Sequence, residues 1–206
     1  MGETLRISII ICTQNRAAGL GATLAAVGKV RVRPDWAVEL LVVDNASTDD
    51  TLAVVRDTRL PNMKVRYLHE GRRGKAHALN AGLKEAQGDI LLFTDDDVIV
   101  ADDWIEQMVA ALDAGCDAVT GRISLAAHLE RPWLTSMHRW WLASSADAQA
   151  REGSRELIGA NMDFRRAVLE RVPAFEPELG PGALGLGEDS LFGWQLVEAG
   201  FVIKFA

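Results

Sequence analysis

Apolar and polar positions follow two alternating rhythms along the first 123 residues. Short β-branched runs predict strands: "RISIIIC" (6–12), "VELLVVD" (38–44), "KVRYLH" (64–69), "DILLFTD" (89–95) and "DAVTGRI" (117–123). Helical stretches are expected between them, at 17–29, 49–59, 75–86 and 101–114. Ser47, with Asp50 three residues on, reads as the start of the second helix. The unbroken apolar centre of "LLVV" fits burial on both sheet faces. Strand–helix alternation of this kind predicts an α/β fold, a Rossmann-like and mainly parallel sheet with helices on both faces.

The rhythm breaks after residue 124. "RPWLTSMHRWWLASSADAQAREG" (131–153) reads as one helix after Pro132, and "LIGANMDFRR" (157–166) as a short strand with a turn. "PAFEPELGPGALGLG" (173–187) carries four Gly and three Pro and reads as a loop. "EDSLFGWQLVEAG" (188–200) is an amphipathic helix closed by Gly200, and "FVIKFA" (201–206) a final strand. Residues 1–123 are expected to form one functional half and 124–206 a smaller second half of a continuous domain. The end of the chain in or just after a strand is the pattern expected of a truncated protein.

The formal net charge of -7 argues against general nucleic-acid binding. It leaves room for a local basic pocket such as "EGRRGK" (70–75). No apolar run reaches the ~18 residues needed to span a bilayer, and "MGETLRIS" is not a signal segment. Cys12 and Cys116 lie far apart in sequence and read as free thiols of a reducing cytoplasm.

The candidate chemistry gathers at strand ends. In open α/β sheets, ligands bind beyond the carboxyl ends of the strands. Strand one ends in "CTQNR", strand two in "DNAST" and strand four in "TDDD". Adjacent carboxylates repel by about 1 kcal/mol in water and about 4 kcal/mol at intermediate dielectric when 4 Å apart. Asp95 and Asp97, at i and i+2, can share a hard divalent cation whose other face takes a diphosphate; Asp96 reads as a neighbour pointing elsewhere. "GRRGKAHALNAG" (71–82) puts Lys75 at a helix start, an anion-binding end, although it is not a Walker motif. Asp44 has the position of a ribose- or base-contacting acid, yet no dinucleotide fingerprint follows strand one. Glu188 and Asp189 begin a helix behind a Gly-rich loop, where a carboxylate can be a general base or merely a cap.

Taken in order, "CTQNR", "VVDNASTDDT", "GKAHALNAG", "GDILLFTDDDV", "GANM" and "GED" resemble the family 2 glycosyltransferases, the inverting group with the GT-A fold. The resemblance runs from "ISIIICTQNR" to "GEDSLFGWQLVEAGF". It implies transfer of a sugar from a nucleotide diphosphate donor, by default a UDP-sugar, to a hydroxyl of a glycan, lipid-linked or other acceptor in cell-surface polysaccharide synthesis. Residues 1–123 become the donor-binding half and 124–206 the acceptor side. Thr13, Asn15, Arg16, Asp44, Lys75 and Asp95 would hold the nucleotide portion. Asp97, supported by Asp95, would ligate Mn²⁺ or Mg²⁺. Gly159, Ala160 and Asn161 would line the donor and acceptor sugars, and Asp189 would be the catalytic base with Glu188 beside it. Trp133, Trp140 and Trp141 fit either peripheral membrane contact by a cytoplasmic enzyme or packing across the sheet. Two other readings compete: a non-catalytic nucleotide-sugar-binding module, and a haloacid-dehalogenase-type phosphatase. The phosphatase would carry its Asp-x-Asp motif on the first strand rather than the fourth.

Overall fold

The computed structural model describes residues 4–143 and 156–206. Seven strands form one sheet: β1 (Leu5–Thr13), β2 (Trp36–Asp44), β3 (Lys64–His69), β4 (Ile90–Asp95), β5 (Ala118–Thr120), β6 (Asn161–Arg165) and β7 (Ile203–Phe205). Their order across the sheet is β3-β2-β1-β4-β6-β5-β7. Only β6 runs against its neighbours, β4 and β5. The helices are α1 (Ala17–Val27), α2 (Thr51–Asp57), α3 (Lys75–Glu85), α4 (Trp104–Asp113), α5 (Ser136–Leu142) and α6 (Glu188–Glu198).

Strand alternation feeds two cores. In β1, Ile7, Ile9 and Ile11 face one side, where Leu24 of α1, Val55 of α2 and Ile105 and Met108 of α4 pack on them. Ile10 faces the other side, with Leu79 and Leu83 of α3 and Phe192 and Leu196 of α6. The second core holds a chain of aromatic rings. Phe93 stacks on Phe164 at 5.2 Å, and Phe175 stacks on Phe192 at 4.3 Å. Burying each ring is worth about 2–3 kcal/mol. The cluster ties β4, β6 and α6 together, and thereby fixes the start of α6 relative to the sheet.

Several boundaries differ from expectation. Ser47 does not cap α2, which begins at Thr51. Its hydroxyl accepts from the Asn15 amide, and Asp49 accepts from the Thr51 amide instead. A loop–loop bond thus displaced the local cap. Of the helix expected after Pro132, Ser136–Leu142 is helical and capped by Thr135. Residues 144–155 and the side chains of Trp140 and Trp141 lie outside the described set. Both cysteines are free thiols, Cys116 buried and Cys12 half-buried.

Candidate functional site

Parallel register brings the strand ends onto one rim. Thr13 lies beside Asp44 across β1–β2, and Cys12 beside Asp95 across β1–β4. Above this rim lies a cavity of about 270 Å³, lined among others by Thr13, Arg16, Asn45, Lys75, Asp95 and Asp97.

The three consecutive acids are held in three different ways. Asp95 accepts from the Lys75 ammonium at 2.7 Å. Asp96 is buried and accepts from the Thr13 hydroxyl at 2.6 Å, with the Arg16 guanidinium at 3.3 Å. Burial pushes its carboxyl up, partly countered by Thr13 and Arg16. Asp97 is half exposed and meets Arg16 at 3.0 Å. The middle acid is therefore the most deeply buried, and all three line the cavity.

Lys75 joins the two halves of the site. Burial alone would lower its pKa, but Asp95 and Glu188 hold the ammonium above the usual lysine value. Glu188 is buried 3.8 Å from it, and burial raises that carboxyl. The Lys75 backbone N–H donates to Pro181 O, so the loop before α6 covers the start of α3. This loop needs Gly180: at φ +96, a Cβ there would meet the Glu188 carboxyl at 2.9 Å. Asp189, partly exposed at the start of α6, accepts from the Gly159 amide at 2.8 Å. A Cβ on Gly159 would stand 3.3 Å from the Asp189 carboxylate and 3.4 Å from the Lys75 ammonium. The absence of a side chain keeps the space between them open.

Other expected residues sit around this centre rather than in it. Both Asp44 oxygens are engaged, one by the Ser47 amide at 2.8 Å and one by the Tyr67 hydroxyl at 2.6 Å. Burial and Asp44 push that phenol up to about 12. Asn15 has a left-handed backbone (φ 53) and accepts from the Thr48 amide, pinning the β1–α1 loop to the β2–α2 loop. The Ala160 carbonyl accepts from Thr94. Asn161 turns its amide away from the cavity, toward the Trp104 indole and the Arg122 carbonyl.

Two contributors were not among the expected site residues. Asn45 donates to the Glu70 and Arg72 carbonyls and accepts from the Gly74 amide, fastening the Lys75 turn to β2. Cys12 lines the cavity floor, and burial pushes its thiol up to about 12. The adjacent Asp44-Asn45 pair was the only available hint, since Asn45 acts on backbone groups that become neighbours only after folding.

The paired carboxylate oxygens of Asp95 and Asp97 are hard ligands of the kind Mg²⁺ and Mn²⁺ prefer. Among the described residues no three His, Cys, Asp or Glu side chains gather into a cation cage. The rim fits a cation that takes one or two protein carboxylates and completes its shell with water and phosphate oxygens.

The profile of glycosyl transferase family 2 matches residues 8–172. The chain belongs to this family. It is 27% identical over 210 residues to glycosyltransferase AglE of Haloferax volcanii, covering 97% of this chain and 64% of that protein. It is 32% identical over 124 residues to the succinoglycan biosynthesis protein ExoM of Rhizobium meliloti, covering 59% of this chain and 40% of that one. A mannosyltransferase from Pyrobaculum calidifontis, solved with GDP-Man and Mn²⁺, superposes with TM-score 0.73 at 28% identity, over 97% of this chain and 54% of the other. TarS of Staphylococcus aureus, solved with UDP-GlcNAc, shares the fold at TM-score 0.65 and 23% identity, over 93% and 53% of the two chains. The fold is GT-A. The chain spans less than two-thirds of the length of each of these proteins.

Proposed function

We propose that this chain carries the donor site and catalytic carboxylate of an inverting, metal-dependent glycosyltransferase that moves a sugar from a nucleotide diphosphate to an acceptor hydroxyl. The supporting observation is that Asp95 and Asp189 both border the space around one lysine: Asp95 lies 2.7 Å from the Lys75 ammonium, and Asp189 accepts from the Gly159 amide, where an added Cβ would stand 3.4 Å from that ammonium. Such a site can hold a diphosphate at one end and deprotonate a nucleophile at the other.

Each residue then has a task. Thr13 fixes Asp96, and Arg16 and Lys75 supply positive charge for the diphosphate oxygens. Asp97, with Asp95, would hold Mn²⁺ or Mg²⁺, which when bound stabilises charge on the departing diphosphate. Asp189 takes the acceptor proton as the acceptor oxygen bonds to the anomeric carbon. The bond from that carbon to the diphosphate oxygen breaks in the same displacement, so configuration inverts. Glu188 orients Lys75. Asp44, through Tyr67 and Ser47, shapes the nucleoside end, and Asn15 supports it from the loop behind.

Calorimetry with UDP- and GDP-sugars, with and without Mn²⁺, tests the donor site; no binding to any of them would sink the reading. UDP-sugars are the default donors, and the GDP-Man of the archaeal mannosyltransferase makes GDP-sugars the necessary comparison. Asp189→Asn should lower transfer by roughly 10²–10⁴-fold while leaving donor affinity within about twofold.

Glycan or lipid-linked acceptors of surface polysaccharide synthesis fit this reading. Trp133, Met137 and Leu142 are exposed on and just before α5, which favours peripheral contact with a membrane holding such an acceptor on the cytoplasmic side. Among the described residues no helix is long and apolar enough to cross a membrane. Co-sedimentation with anionic vesicles, reduced by Trp133→Ala, is the expected result.

A further inference from the structure

The acid triplet is partly neutralised from within the chain. Asp95 has Lys75 at 2.7 Å, and Asp96 and Asp97 share Arg16 at 3.3 and 3.0 Å. The two cations differ in how firmly they are held. The Lys75 side chain is only 20% exposed and has a second carboxylate, Glu188, at 3.8 Å. The Arg16 side chain is 54% exposed and lines the same cavity, and its partner Asp97 is 50% exposed. Its backbone is nevertheless well placed. Asn15, next to it, is pinned by Ser47 and Thr48. A fixed backbone with a loose guanidinium makes a side chain that can leave one partner for another without a loop rearrangement.

Building on the proposed donor site, we infer that Arg16 is a displaceable internal counter-cation, which occupies Asp97 in the resting chain, yields it to a divalent cation and then turns to the diphosphate. The Arg16–Asp97 pair is half exposed on both sides, and such pairs are weak and salt-screened, so exchange at Asp97 is inexpensive. Lys75, half enclosed between Asp95 and Glu188, stays in place. The arrangement explains how three adjacent acids persist in the resting protein. It also couples the two ligands: Arg16 opposes a cation arriving alone and favours a cation arriving with a diphosphate.

That coupling predicts effects of opposite sign from one substitution. Mn²⁺ binding is followed from the loss of the free-ion electron paramagnetic resonance signal, without nucleotide. Arg16→Gln should bind Mn²⁺ roughly fivefold more tightly than the parent at low salt, the gain expected from removing one exposed competing charge. The difference should shrink at about 0.5 M salt. Arg16→Lys should stay near the parent, and adding Asp97→Asn to Arg16→Gln should abolish the gain. With Mn²⁺ saturating, UDP or GDP, whichever the parent binds, should bind Arg16→Gln several-fold more weakly. Circular dichroism checks that each variant is folded. Mn²⁺ affinity unchanged or lowered in Arg16→Gln would overturn the inference, and so would a gain that survives Asp97→Asn. Failure of the parent to bind any nucleotide with Mn²⁺ would instead remove the donor-site reading beneath it.

Discussion

Asp96 and Asp163 lie in neighbouring parts of one sheet and are treated in opposite ways. Asp96, just beyond the end of β4, has a hydroxyl at 2.6 Å, a guanidinium at 3.3 Å and a cavity beside it. Asp163, in the middle of β6, is wholly buried, and neither of its carboxyl oxygens meets a hydrogen-bonding partner among the described residues. It pairs across the sheet with Leu92 and Val119, both members of the first core. Burial pushes its carboxyl well above the ordinary range, with Arg165 pulling the other way. The same side chain is thus an organised charge at the rim and an uncompensated polar group inside. Acids at the rim have hydroxyl and cationic partners; the one inside has none among the described residues and opposes folding.

The sharpest way to break this contrast is to remove the rim's central cation. Lys75→Met leaves Asp95 and buried Glu188 facing each other, and should lower stability by about 3 kcal/mol, read from urea unfolding. Asp163→Val should move stability the other way, a gain of about 2 kcal/mol in the same assay. The pH dependence separates the two causes. Asp163 has a folded pKa above its ordinary value of 3.8. Between those values the unfolded chain has released a proton that the folded chain keeps, so stability falls as pH rises through the window. Unfolding midpoints of the parent should show this fall, and those of Asp163→Val should show less of it. Thr13→Val strips Asp96 of its hydroxyl donor and should cost about 1.5 kcal/mol. Smallest of all, Arg16→Gln should change stability by no more than about 0.5 kcal/mol, since the guanidinium and Asp97 are half exposed and buried Asp96 keeps its bond from Thr13. A large loss there would mean that Arg16 holds the rim together and does not simply occupy it.

The alternation of apolar runs made the order of elements legible, because a parallel βα rhythm admits few arrangements. Convergence of "CTQNR", "DNAST" and "TDDD" was equally legible, since parallel strands point their carboxyl ends the same way. What stayed hidden depends on cross-strand neighbours. Asp96 looked like the spare acid because i and i+2 face alike in a strand, yet the strand ends at Asp95 and the turn redirects the side chains. Ser47 looked like a cap because capping rules are local, and the partner that claims it is Asn15, from another loop. The resemblance grouped Asn161 with the sugars, and spacing gave no sign that its amide meets Trp104 and Arg122.

The reversed strand β6 also governs the order in which this sheet can be assembled during synthesis. β4 meets β5 only through β6. While residues 96–160 are being made, the apolar strand Ile90–Asp95 therefore has one partner, β1, and one open edge. Open apolar edges invite pairing with other chains. A nascent chain of this protein carries that open edge throughout the interval, and a fragment ending at residue 123 would keep it.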